Sequence, residues 1–167
     1  MSAILTRVLA VLGALLVLGV VNASLFGKEK IRRDGATVYL ALAPVDPRSL
    51  MQGDYMALRF ELAQELERQL GPVDTANATA REGETRRAAV ALDERQVARL
   101  GAGDASAALT LRYRIRAGRV WLGTNAFFFE EGSAARFANA RFGEFRVDRA
   151  SGEAVLVGLR DGALRAL

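Results

Sequence analysis

The chain has 167 residues, 51% of them hydrophobic, a formal net charge of +4, and neither cysteine nor histidine. That length accommodates one domain and an appendage, and the missing residue types remove disulfides, thiol nucleophiles, zinc ribbons, imidazole bases and imidazole metal ligands. The isoelectric point near 10.1 traces to Lys28, Lys30, Arg32 and Arg33, opposed only by Glu29, with Arg7 upstream. Set against totals of 23 basic and 19 acidic residues, this leaves the chain from Asp34 onward neutral. It has no net basic field for a phosphate backbone, so nucleic acid is not an expected partner.

From Ala3 to Phe26 the only charge is Arg7, and Val8 to Val21 is an uninterrupted apolar run. As a helix, Val8 to Phe26 spans roughly 28 Å, close to the hydrocarbon thickness of a bilayer, with Arg7 free to snorkel to the headgroups. A retained anchor over residues 1–27 is expected, followed by a basic juxtamembrane linker at 28–35. The same stretch also fits a cleaved signal peptide, with Val21-Asn22-Ala23 as a small-x-small site before Ser24. The cations after the helix would hold that end in the cytoplasm under the positive-inside rule, whereas the signal-like layout points the other way.

The domain is expected over 36–167. Thr37 to Leu42 alternates, with Val38, Leu40 and Leu42 on one face of a strand that Pro44 and Pro47 end. Tyr55 to Leu62 predicts a second strand burying Met56, Leu58, Phe60 and Leu62. Leu62, Leu66 and Leu70 fall at helical spacing before Gly71-Pro72. Residues 73–87 lack a period and read as an exposed loop. A short strand over Ala88 to Leu92 follows, then a helix capped by Asp93 and running through Leu100. Leu109, Leu111, Tyr113 and Ile115 alternate with Thr110, Arg112, Arg114 and Arg116, and Ala117-Gly118 turns that strand into Val120 to Leu122. Phe127 to Phe129 reads as a buried strand, Ser133 to Asn139 as a short capped helix, and Phe142 to Asp148 and Ala154 to Leu159 as two strands joined by a turn at Ala150-Ser151-Gly152. The fold class is mainly β (α+β): a transmembrane helix, then an antiparallel sheet or partly open barrel with two or three short helices.

Gly53 to Phe60 reads GDYMALRF, preceded by Pro47-Arg48-Ser49-Leu50-Met51-Gln52. Gly-Asp before a strand is a turn device, with Gly53 supplying an unusual backbone angle and Asp54 accepting turn amides. Tyr55 points away from Met56, Leu58 and Phe60, onto a second packed face or into a groove with Arg59. The segment resembles the GDYxxLxY family of membrane-anchored proteins. Gly53, Asp54, Tyr55 and Leu58 match the motif, and Phe60 stands in place of its final tyrosine. Phe127 to Gly132 and Ala140 to Asp148 also look like the family. The resemblance implies an N-terminal anchor, a folded domain outside the cytoplasm and an association with polytopic membrane proteins, and it implies no catalytic residue.

Pro47, Gly53, Leu58 and Phe60 are accordingly expected to be structural, and Asp54, Tyr55, Arg59 and Glu144 are the candidate binding residues. Glu130, Glu131, Glu144 and Asp54 could form a carboxylate site, although adjacent glutamates on a strand point to opposite faces. Arg112, Arg114 and Arg116 share one strand face that anionic lipid or a partner could meet, or that water simply solvates. Trp121 is expected in the core or as an interface anchor. Pro47-x-x-Leu50-x-x-Gly53-Asp54 is also similar to the strand entry of signal-peptidase-like hydrolases, but Ser49 follows the proline, and Lys28 and Lys30 lie where an ammonium stays solvated and protonated.

The expected role is a single-pass accessory or interaction domain of the bacterial inner membrane, facing the periplasm. Its expected partners are lipid, through the helix, and a polytopic membrane protein. No catalytic residue, metal or cofactor is expected. The alternatives are a signal-peptidase-like or carboxylate-dependent hydrolase and a small-ligand-binding domain.

Overall fold

A computed structural model of the chain describes residues 3–43, 51–52, 55–71, 82–101 and 108–167. Helix α1, Ala3–Asp34, is long and apolar enough to cross a membrane. Its leucines and valines from Val8 to Leu25, and Phe26 after them, are all exposed. The basic stretch from Lys28, expected as a linker, continues this helix to Asp34. It is held there by tertiary contact. Ile31 is buried, its carbonyl accepts the Gly35 amide at 2.9 Å, and Lys28 Nζ lies 3.3 Å from Glu153 Oε1. The helix therefore passes into the domain without a flexible segment.

Strand β1 is Ala36–Ala41, and two short strands, β2 at Met51–Gln52 and β3 at Tyr55–Ala57, precede helix α2 at Glu61–Leu70. Strands β4 (Thr85–Leu92), β5 (Ala98–Leu100), β6 (Ala108–Arg116), β7 (Arg119–Trp121) and β8 (Ala126–Phe128) follow. Helix α3 (Ala134–Phe137) and strands β9 (Phe142–Val147) and β10 (Ala154–Arg160) complete the chain. Every paired strand is antiparallel, in three sheets ordered β1-β9-β10, β2-β3-β8 and β5-β4-β6-β7. The mainly β architecture with an N-terminal apolar helix is the one the sequence predicts. Isolated bridges tie the sheets together, Tyr39 to Val97 and Leu42 to Phe60. One core joins them, with Val38, Leu40, Phe60, Val90, Leu111, Leu122, Phe145 and Val147 almost wholly removed from water.

Four local expectations are corrected. The strand expected over Tyr55 to Leu62 stops at Ala57, yet Met56, Leu58, Phe60 and Leu62 are all buried. The first turn of α2 keeps Leu62 facing inward after the pleat has ended. The loop expected to reach residue 87 gives way to β4 at Thr85, because pairing with Arg114 and Arg112 extends the strand through polar residues. Asp93 does not cap a helix. Its Oδ1 accepts the amides of Arg95 and Val97, each at 2.9 Å, closing a turn between β4 and β5, and Gln96 at φ 61 leaves the helical region. Finally, β8 lies at the edge of its sheet, so Phe128 is 74% exposed and Phe127 and Phe129 are only half-buried.

One local signal read from the sequence holds, and another is corrected in its cap and its end. Ala117 and Gly118, at φ 47 and 70, make the two-residue turn between β6 and β7 that matches strand twist. Ser133 precedes α3, which ends at Phe137 rather than Asn139, and its hydroxyl makes no capping bond.

Candidate functional site

The segment Tyr55 to Phe60 stitches two sheets together. Tyr55 and Met56 pair with Phe128 and Phe127 of β8, the Leu58 amide donates to Asn125 O at 2.7 Å, the Ala43 amide donates to Arg59 O at 2.8 Å, and Phe60 bridges to Leu42. The Phe60 carbonyl then accepts the Ala63 and Gln64 amides that open α2. The backbone polar groups of this segment are thus engaged, as burial demands. Leu58 and Phe60 point into the core at 2% and 1% exposure. Phe60 meets Phe145 edge to face, with ring centroids 5.3 Å apart, a favoured aromatic arrangement.

Between this segment, α2 and β7 opens a groove of about 390 Å³, lined by Leu58, Arg59, Ala63, Glu67, Trp121 and Asn125. Glu67 projects across it, its Oε1 accepting the Val120 amide at 2.8 Å and so fixing the groove's width. Arg59 is exposed at the rim and Arg119 is exposed on the far side. The groove is an apolar floor with cations at its mouth. Arg59 and Arg119 can pair with a carboxylate or a phosphate, while Glu67 is engaged by the Val120 amide.

The candidate residues fall at different places. Arg59 belongs to the groove. Tyr55 is half-buried on the outer face of β3, its ring 5.8 Å from that of Phe128. Glu144 lies in the middle of the β1-β9-β10 sheet, buried, and is engaged by Arg160 and, at 4.0 Å, by Arg146. Pro47, Gly53 and Asp54, together with Ser49, lie outside the described residues. Glu130 and Glu131 sit beyond β8 in an exposed turn rather than on a strand. Lys28, the base considered for a serine hydrolase, is paired with Glu153.

The match to the GDYXXLXY family covers residues 17–159, from within α1 to the penultimate position of β10. The chain belongs to the GDYXXLXY family. No curated protein and no solved structure matches it. In this GDYXXLXY protein the leucine and the final aromatic of the motif are core anchors that place Arg59 between them at the surface. Glu67, Trp121 and Asn125 were not legible as site residues. Their elements reach the motif only through packing, and Glu67 shares the polar face of α2 with Gln64 and Arg68, which carry no comparable bond.

Proposed function

We propose that this chain is a membrane-anchored accessory domain, held by α1 with its folded part on the extracytoplasmic side, and that the groove beside the motif docks a segment of a polytopic membrane protein. The observation that carries this reading is the groove itself. An apolar floor is built from motif residues, the backbone around it is already satisfied, and Arg59 and Arg119 stand at its mouth. Such a surface offers apolar area with orienting charge, which is the chemistry of binding. The continuous passage of α1 into the domain supports it too, since the groove keeps a set height above the bilayer.

Affinity purification of the full chain from membranes in mild detergent tests the proposal. A polytopic membrane protein is expected with the wild type and with Tyr55→Phe, and is lost with Arg59→Glu although the melting temperature is unchanged. Phe60→Ala is expected to lose both recovery and stability. Recovery indifferent to Arg59→Glu would refute docking in the groove. Alkaline phosphatase and fluorescent-protein fusions at Leu167 test the side of the membrane, and a fluorescent, phosphatase-inactive pair would reverse it.

A further inference from the structure

We propose that the cationic cavity between Lys28 of α1, the β9–β10 turn and the four-stranded sheet binds the phosphate of an anionic glycerophospholipid headgroup, in the same bilayer that holds α1. The inference rests on the anchored arrangement proposed above, and the cavity shares Trp121 with the motif groove. The cavity measures about 230 Å³ and is lined by Lys28, Arg112, Arg114, Arg116, Trp121 and Glu153. Glu153 organises it, with one carboxylate oxygen 3.3 Å from Lys28 Nζ and the other 2.9 Å from Arg112 Nη2. Four cations and one carboxylate thus line the cavity, and only two of the cations are paired with it. Arg114 is exposed and has no ion-pair partner among the described residues. Arg116 lies over the Trp121 ring, 5.5 Å from its centroid, so a flat guanidinium is held against a rigid wall.

The depth of the cavity identifies its ligand. The apolar surface of α1 ends at Phe26, and Lys28 follows about 3 Å further along the axis. With the apolar stretch in hydrocarbon, Lys28 and Arg112, joined to it through Glu153, stand at headgroup level, where an indole ring is also at home.

The sheet adds a second, independent observation. Register sets Arg87 directly opposite Arg112 and Arg116 directly opposite Arg119, with Arg114 facing Trp121, all on the face turned away from the core. Like charges opposite one another destabilise a sheet. One member of each arginine pair, Arg112 and Arg116, lines the cavity, so an anion bound there offsets part of that cost. Guanidinium forks match phosphate oxygens and are weakly hydrated, which suits this role better than lysine.

Trp121 is the single tryptophan of the chain and lines both the cavity and the motif groove, so a change in its emission that depends on Arg114, which lines the cavity and not the groove, reports on the cavity. The full chain is reconstituted into phosphatidylcholine vesicles carrying increasing fractions of phosphatidylglycerol, with flotation confirming that it is inserted. The expected result is a saturable change in Trp121 emission. Its midpoint fraction of phosphatidylglycerol rises about fivefold in Arg114→Ala, corresponding to about 1 kcal/mol for one basic residue near an anionic surface. Arg114→Glu is expected to abolish the change with the melting temperature preserved. Emission indifferent to phosphatidylglycerol in a chain that floats would overturn the lipid site alone. Failure to float with any vesicle would overturn the anchored arrangement and the site with it. A response to inorganic phosphate or to a single-stranded oligonucleotide, in phosphatidylcholine alone, that equals the one to phosphatidylglycerol would assign the cavity to a soluble anion instead.

Discussion

Arg160 donates to Glu144 through both Nε, at 2.7 Å, and Nη2, the two converging on one carboxylate oxygen across the β9–β10 pair. Glu144 is the one buried charged side chain among the described residues, and Arg146 approaches its other oxygen at 4.0 Å. A bulge between Leu156 and Gly158 shifts the register that brings the two partners together. Glu144 and Arg146 share the face of β9 opposite Phe145 and Val147, which enter the core.

Removing one member leaves the other without its counter-charge, which for buried pairs is the costly change. Arg160→Met, which leaves the buried Glu144 carboxylate without its main counter-charge, is expected to lower the stability of the full chain by about 3 kcal/mol, read from urea unfolding in detergent by Trp121 emission. Replacing both partners, Glu144→Leu with Arg160→Met, is expected to recover much of that loss. Equal losses in the single and double variants would show that the ion pair is not the origin.

Gly123 joins β7 to the segment that leads into β8 with φ +71, and an added Cβ would stand 2.8 Å from Ala154 O and 3.3 Å from a ring carbon of Phe145. Both the backbone angle and the space exclude a side chain. Gly123→Ala is therefore expected to cost about 2 kcal/mol or more. Gly158, where no atom lies within 4 Å of an added Cβ, serves as the control. Gly158→Ala should change stability far less in the same unfolding experiment, and comparable losses at the two sites would contradict the packing described.

Two half-buried aspartates make the fold acid-sensitive. The Asp148 carboxyl is held below its ordinary 3.8 chiefly by the Ser151 amide and then by that of Ala150. Asp161 is held below 3.8 chiefly by the Arg165 amide, with further bonds from the Arg165 guanidinium and the Ala163 amide. A folded value below the unfolded one means that the stabilisation is fully present above 3.8 and is lost as pH falls through the folded values. Urea midpoints should therefore drop as the pH is lowered past 3.8. The double variant Asp148→Asn/Asp161→Asn keeps an acceptor in each turn and should flatten that drop. An equally steep profile in the variant would locate the acid sensitivity elsewhere.

Several features were legible along the chain because they depend on neighbours in sequence. The apolar run before Gly27 announces α1, the alternation of Leu109 to Ile115 announces β6, and Leu62 with Leu66 announces the inner face of α2. The motif announces a structural junction, as Leu58 and Phe60 show by their burial. Asp93 was ambiguous for a physical reason, since a carboxylate that accepts nearby amides can open a helix or close a turn, and only pairing with β4 selects the turn.

Charge was the property on which sequence alone said least. Counting leaves the domain neutral, but register sorts its arginines onto one face of the β5-β4-β6-β7 sheet and leaves a single arginine-held glutamate inside the β1-β9-β10 sheet. Lys28 and Glu153 meet across 125 positions of chain, as Glu67 and Val120 meet across 53. The sequence by itself determined the elements, because backbone geometry repeats every two or 3.6 residues and any short window contains the pattern. Tertiary structure alone decided which charges meet, because opposed side chains are chosen by strand pairing and helix packing, and no local period encodes either.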